Sequence, residues 1–375
     1  MLPIRIGSLC TGYGGLEMGF TEAFGPTQVC WTSDTDPDAA TLLRHHYPAA
    51  PNLGDITTTD WRHAEPVDVI VAGIPCQAVS AAGRMQADAD PRWLWTTGAR
   101  IAIRALKPRL VVLENVRNLT SIHKGRIWRG ILDDFRTLGY TVHWMIYGVC
   151  HSPVDGCHHR HRIFALAIRS TGDTAATHLA AAPCGLPSTV RITRDANDHR
   201  DGLLPTPNAR DGDKRGMPSL AGLMRRINAG HNISLTDVVP LLPATATDSW
   251  GRYELAVGRW AERHGQPPAP VVFGPRGGRR FNPVFAEWMM GLPHGHVTHH
   301  VDRLAALRII GNGVMPQQAA AALRLLSATL PSNTDSLTDT NGFASSGHGT
   351  RTMTHDGIRV PDPITDSRPG SPIRS

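Results

Sequence analysis

Regular cysteine spacing is missing from this 375-residue chain: its six cysteines, Cys10, Cys30, Cys76, Cys150, Cys157 and Cys184, follow no disulfide framework. A small stapled scaffold is therefore excluded, and a reducing compartment is expected. No apolar run is long enough to cross a bilayer and no signal-peptide pattern is present, so the expectation is a cytoplasmic protein that does not meet a membrane. Lysine is nearly missing as well, with arginine supplying almost all of the 38 basic residues. What is abundant is apolar residue, 41% of the chain, enough to bury a large core without staples.

The net charge is +6. Between Arg191 and Arg280 there are 14 Arg or Lys against 9 Asp or Glu, so one window carries most of the excess. A planar guanidinium fork suits phosphate and guanine edges. A GC-rich gene accounts for the same bias, so charge points to nucleic acid only weakly.

The first 170 residues alternate short β-branched runs with amphipathic stretches, which predicts an α/β fold with a doubly wound, mostly parallel sheet. Strands are expected at Ile4 to Leu9, Gln28 to Ser33, Val67 to Ala72, Leu110 to Leu113, Thr141 to Val149 and Arg162 to Ile168. Helices are expected at Leu16 to Phe24, Asp38 to His46, Trp93 to Leu106 and Arg126 to Leu138. From about 171 to 280 the pattern breaks into Pro-, Gly- and Arg-rich pieces, which reads as a separate, smaller domain. Within it LLPTPNARD is echoed by LLPATATDS, either as two loops doing one job or by chance. Order returns at 281–330, with a short helix after Asn282-Pro283, a loop GNGVM and a last helix from Pro316 to Leu326. Residues 331–375 have too few apolar groups to offset ordering entropy and read as a disordered tail.

The segment GIPCQAVS places Cys76 just after a buried-type strand, at the strand end where open α/β sheets keep their ligand crevice. A thiol there is a candidate nucleophile, activated by a nearby positive field for which Arg160 and Arg162 are candidates. A second such strand, LVVLENV, ends in Glu114, which either lines a pocket or pairs with Arg117. Near the amino terminus SLCTGYGGLEMGF sets Gly12, Gly14 and Gly15 between strand and helix, where backbone N–H groups are free to bind a nucleotide-like ligand, although a structural turn reads the same way. Asp34, with Asp36 in reserve, follows the second strand where ribose hydroxyls would need an acceptor, and Asp55 follows the next turn. The segment CHSPVDGCHHRHRIF invites a zinc reading, but its spacing fits no common finger. Arg160 and Arg162 alternate with His161, so they share one strand face, which suits phosphate or substrate better than metal; no metal is expected.

In this order the motifs resemble the DNA cytosine-5 methyltransferase family of bacteria and their phages, over roughly 4 to 170 and 281 to 330. SLCTGYGGLEMG resembles the cofactor loop, GIPCQAVS the Pro-Cys-Gln nucleophile loop, LENV the Glu-Asn-Val strand end, HHRHR the Gln-x-Arg-x-Arg motif and GNGVMP the closing Gly-Asn-Ser-Val motif. The resemblance implies S-adenosyl-L-methionine as methyl donor. It would be held by Leu9, Cys10, Gly12, Gly14, Gly15 and Leu16, by Asp34, Asp55, Ile56 and Pro75, and by Asn312 and Val314. It also implies catalysis by Cys76, Glu114, Arg160 and Arg162 on a cytosine flipped out of double-stranded DNA. Region 171–280 would then read the target. A monomer is expected, and a separate cognate restriction endonuclease is left open. Three positions depart from the family pattern: Cys10 for Phe, His158 for Gln and Gly313 for Ser. Rival readings are a transfer-RNA cytosine methyltransferase on the same fold, a catalytically idle DNA-binding relative, and a Rossmann-type dehydrogenase. The incomplete dinucleotide glycine pattern speaks against the last.

Overall fold

Valine- and isoleucine-rich runs pair into a six-stranded sheet whose central strands are buried on both faces, as parallel sheets require. The computed structural model describes residues 2–75, 93–170, 202–212, 220–229, 233–245, 248–275 and 277–330. The expected nucleophile loop beyond Pro75 and the expected disordered tail lie outside the described residues.

The strands are β1 (Ile4–Leu9), β2 (Thr27–Trp31), β3 (Val69–Gly73), β4 (Leu110–Val116), β5 (Tyr140–Gly148) and β6 (His161–Arg169), in the order β2-β1-β3-β4-β6-β5. The first three pairings are parallel, and β6 runs antiparallel to both β4 and β5. Alternation along each strand feeds two cores. Val69, Val71 and Val112 pack with Leu16 and Phe20 of α1 (Gly15–Phe24), whereas Ile70, Val111 and Leu113 pack with Trp95, Ile103, Trp128 and Phe135 on the other face.

Helix starts follow local chemistry. Asp36 caps α2 (Pro37–His46) by accepting Asp38 and Ala39 N–H with proline at the first position. The expected helix at Trp93 to Leu106 is instead a π-turn, Trp95–Ala99, followed by α3 (Arg100–Leu106). There Gly98 lets Ile56 pack against the backbone, and the Trp95 indole donates to Asp134 of α4 (Arg126–Thr137) at 2.8 Å.

The described parts of the 202–281 stretch include α5 (Leu220–Asn228), α6 (Leu235–Val238), α7 (Glu254–His264), β7 (Val271–Phe273) and β8 (Arg279–Phe281). Leu204, Val238, Trp250 and Trp260 share one core with β1 and α1. The chain returns through α8 (Pro283–Met289), α9 (Arg303–Asn312) and α10 (Pro316–Ala328). Gly311 and Asn312, expected in a loop, close α9. A Cβ on Gly311 would lie 2.1 Å from the Asn208 carbonyl carbon, so glycine serves close packing there.

Candidate active site

β1, β3 and β4 deliver their carboxyl ends side by side, with Leu9 opposite Ala72 and Gly73 opposite Glu114. Gly73 sits between the two halves of the site: a Cβ on it would lie 3.6 Å from the Cys10 carbonyl oxygen and 3.9 Å from Glu114 Oε2.

The first half is the glycine loop. Cys10 and Gly12 take left-handed φ angles of 56° and 59°, and the chain is tied to β2's end by Cys10 N–H to Ser33 O at 2.8 Å and Gly12 N–H to Asp34 Oδ2 at 2.8 Å. Asp34 Oδ1 accepts Asp36 N–H at 2.9 Å, which leaves each oxygen a further lone pair. Asp36 itself caps α2 and pairs with Arg308. Asp55 is exposed and takes the Thr57 N–H and hydroxyl on Oδ1, each at 2.8 Å, while Ile56 beside it is buried. Burial raises the Cys10 thiol, and nearby Asp34 and Asp55 raise it further, so it stays neutral. Among the described residues no heavy atom lies within 4 Å of where a Cβ on Gly12 would stand, so none of them covers the loop there.

The loop is locked from the far end of the chain. Tyr13 donates its hydroxyl to Val314 O at 2.6 Å. Its ring fills the place a side chain at 313 would take, where a Cβ would fall 1.9 Å from Cε1. Gly313 in place of serine is thus matched to Tyr13. Leu9, Leu16 and Val314 are buried, and Asn312 is exposed. Glu17, at the start of α1, is buried and accepts the Ser8 hydroxyl on one oxygen, with no partner for the other among the described residues. Burial pushes its carboxyl up to about 7.

In the second half, Glu114 on β4 is 7% exposed and meets Arg162 Nε through Oε1 at 3.1 Å. Antiparallel register explains the pair. Phe164 lies opposite Glu114, so Arg162, two residues earlier on β6, is its diagonal neighbour on the same face. Arg117, the alternative partner, is exposed. Burial raises the Glu114 carboxyl, and Arg162 and then Arg160 pull it back. Asn115 fixes the chain just before the expected nucleophile loop by donating Nδ2–H to Ile74 O at 2.8 Å. Pro75 is exposed; Cys76 lies outside the described residues.

Arg160, only 2% exposed, aims its guanidinium at the carbonyls of Pro207, Gly311 and Gly313. Its N–H groups knit the first LLP segment, α9 and the closing loop together. His158 is buried and bonds Met289 O at 3.1 Å; burial holds it neutral, down to about 3. The two LLP echoes have different settings: the first lies against Arg160, whereas Leu242 in the second accepts from Arg279 through its carbonyl. Sequence reasoning passed over Tyr13, Asn115 and Glu17. Asn115 and Glu17 carry a readable signal, a polar side chain in an otherwise apolar run; Tyr13 does not.

A doubly wound sheet with a glycine loop at the end of one strand and a buried acid–arginine pair at the end of another defines a Rossmann-like α/β fold with two candidate half-sites along one sheet edge. Residues 4–327 match the family described as C-5 cytosine-specific DNA methylase, and the chain belongs to it. It is similar to the Type II methyltransferase M.HgiCII of Herpetosiphon aurantiacus, 34% identical over 178 residues, which is 45% of this chain and 38% of that protein. Type II methyltransferase M.NlaX of Neisseria lactamica is 33% identical over 139 residues, 37% of this chain and 44% of that protein. The matched stretches thus span less than half of either relative. The crystal structure of S. pombe Dnmt2 methyltransferase shares the fold, with a TM-score of 0.53 at 14% identity over 86% of this chain and 98% of that one.

Proposed function

We propose that this chain methylates carbon 5 of a cytosine flipped out of double-stranded DNA, with S-adenosylmethionine as donor. The observation that carries the reading is the buried Glu114–Arg162 pair, 3.1 Å apart, whose acid stands on β4 next to β3, the strand that leads into Pro75 and Cys76. The donor set suits an adenosyl cofactor: Asp34 and Asp55 keep lone pairs for hydroxyl and amino donors, and the glycine loop leaves room above Gly12. Leu9, Cys10, Gly14, Gly15, Leu16 and Ile56 would wall that half, with Pro75, Asn312 and Val314 at its rim. When bound, the cofactor supplies an electrophilic methyl group.

The residues supply the rest. Cys76 adds through sulfur to carbon 6 of the flipped base, which makes carbon 5 nucleophilic. Glu114, its carboxyl raised by burial, holds a proton toward ring nitrogen 3 and accepts from the exocyclic amine, offsetting the charge that develops there. Arg162 fixes the carboxyl and Arg160 fixes the closing loop. Once carbon 5 carries the methyl group, its proton passes to a water molecule acting as base, and elimination of the Cys76 thiolate restores the ring. We assign target reading to 171–280, where Arg225, Arg252, Arg259 and Arg280 are exposed, while Arg226 and Arg263 are engaged with Asp237 and Asp155.

The test is incubation with labelled S-adenosylmethionine and duplex DNA carrying 5-fluorocytosine, which cannot shed its carbon-5 substituent as a proton. A covalent protein–DNA adduct that disappears in Cys76→Ser is expected. Labelling of transfer RNA but not of DNA, or an adduct that survives in Cys76→Ser, overturns the reading.

A further inference from the structure

Methyl transfer uses the arginines of CHHRHR and leaves its histidines without a task. Strand alternation separates them: Arg160 and Arg162 face the closing loop and Glu114, and His159 and His161 face the other way. On that second side the bend from β5 to β6 gathers Cys150, His151 and His161 so that one ligand atom from each lies within 4.8 Å of the others. His159 joins them, with Nδ1 3.9 Å from Cys150 Sγ and its ring stacked on that of His161 at 6.2 Å. All four are half-buried.

The convergence has a backbone cause. Register pairs His161 with Gly148, and a Cβ on Gly148 would lie 2.8 Å from His161 Nε2 and 3.2 Å from His151 Cε1. Only a residue without a side chain leaves room for the two rings. His151 is brought back over the same spot by its N–H bond to Gly148 O at 3.1 Å. The ligands therefore come from the two arms of a hairpin, which is why finger spacing is absent from the sequence.

We propose that Cys150, His151, His159 and His161 bind a single zinc-class divalent cation that staples the β5–β6 bend. One thiolate with imidazoles is a donor set that suits tetrahedral zinc and not magnesium or calcium. Bonds of about 2.0–2.3 Å hold ligand atoms closer together than they now stand, so the side chains rotate inward on binding. His151 gives up one long bond, from Gly148 N–H at 3.3 Å, in exchange for the metal. Cys150 loses its thiol proton to solvent as the ion binds. It takes no part in methyl transfer, and its work is to fix the entrance of β6, one residue before Arg162.

The full chain, stripped with a chelator and dialysed, is titrated with Zn²⁺ alone and, separately, with Co²⁺ as the spectroscopic probe. Expected are one equivalent of tightly held zinc, a rise in Tm that Mg²⁺ does not reproduce, and a sulfur-to-cobalt charge-transfer band that Cys150→Ser abolishes. Gly148→Ala weakens binding by crowding the rings. If Cys150→Ser does not fold, the wild-type chain decides the matter: zinc shields Cys150 from iodoacetamide, as mapped by mass spectrometry. Equal alkylation of Cys150 with and without zinc, an unchanged Tm, or a cobalt band that persists in folded Cys150→Ser overturns the site.

Discussion

The two halves of the site hold their carboxylates in opposite ways. Asp34 is partly exposed and fastened by backbone N–H groups of its own turn and of the glycine loop, whereas Glu114 is nearly dry and faced by a guanidinium. A turn-bonded carboxylate is a fixed acceptor, good for binding. A buried acid whose ionisation is contested between desolvation and a cation can change its proton during a reaction. On the proposed reading one half binds and the other reacts, and variants on each side sharpen or break that division.

The largest effect is expected at Glu114. Glu114→Gln keeps the shape and removes the proton switch, so kcat falls about 10²–10⁴-fold with KM for S-adenosylmethionine unchanged. A loss that appears chiefly in that KM would merge the halves. Next is Arg160, which faces the seam between them. Arg160→Met strands buried carbonyls at Gly311, Gly313 and Pro207 and lowers unfolding free energy by about 3 kcal/mol in urea titrations. A smaller cost, of about 1–3 kcal/mol, attends Gly313→Ala, whose methyl meets the Tyr13 ring. Combined with Tyr13→Leu, the cost is less than the sum of the single changes, as a double-mutant cycle will show.

The smallest effect is in the binding half. Glu17, raised from 4.5 to about 7 by burial, binds its proton more tightly folded than unfolded. Its contribution to stability is therefore fully present below pH 4.5 and lost as pH rises through about 7. Glu17→Gln removes that loss, so the Tm of the variant relative to wild type rises between pH 5 and pH 8. A constant difference across that range would place Glu17 outside the linkage.

Most of the sheet was legible because β-branched runs between turn residues are local facts: five of the six strands and α1, α2 and α4 fall within two residues of their expected bounds, and β4 runs three residues further than expected, to Val116. The glycine loop after β1 and the place of Glu114 near the end of β4 were legible for the same reason. What was not legible depends on register and distance. Glu114 has Arg117 three positions away in sequence, yet only the antiparallel placement of β6 makes Arg162 its partner. The π-turn at Trp95 answers to Asp134 and Ile56, far along the chain. The two LLP echoes look alike as text and pack against different neighbours. The helix over Arg303–Asn312 hides behind glycine and asparagine, which read as turn formers until Asn208 is seen pressed against Gly311.

The Tyr13–Val314 bond spans 301 positions, and Gln318 of α10 donates to the carbonyls of both Tyr147 and Arg160. A ribosome has therefore synthesised nearly all of this fold before the first motif it made can be fastened. A half-finished polypeptide carries Cys76 and Glu114 but lacks the clasp, so the proposed chemistry would have to wait for the arrival of α10.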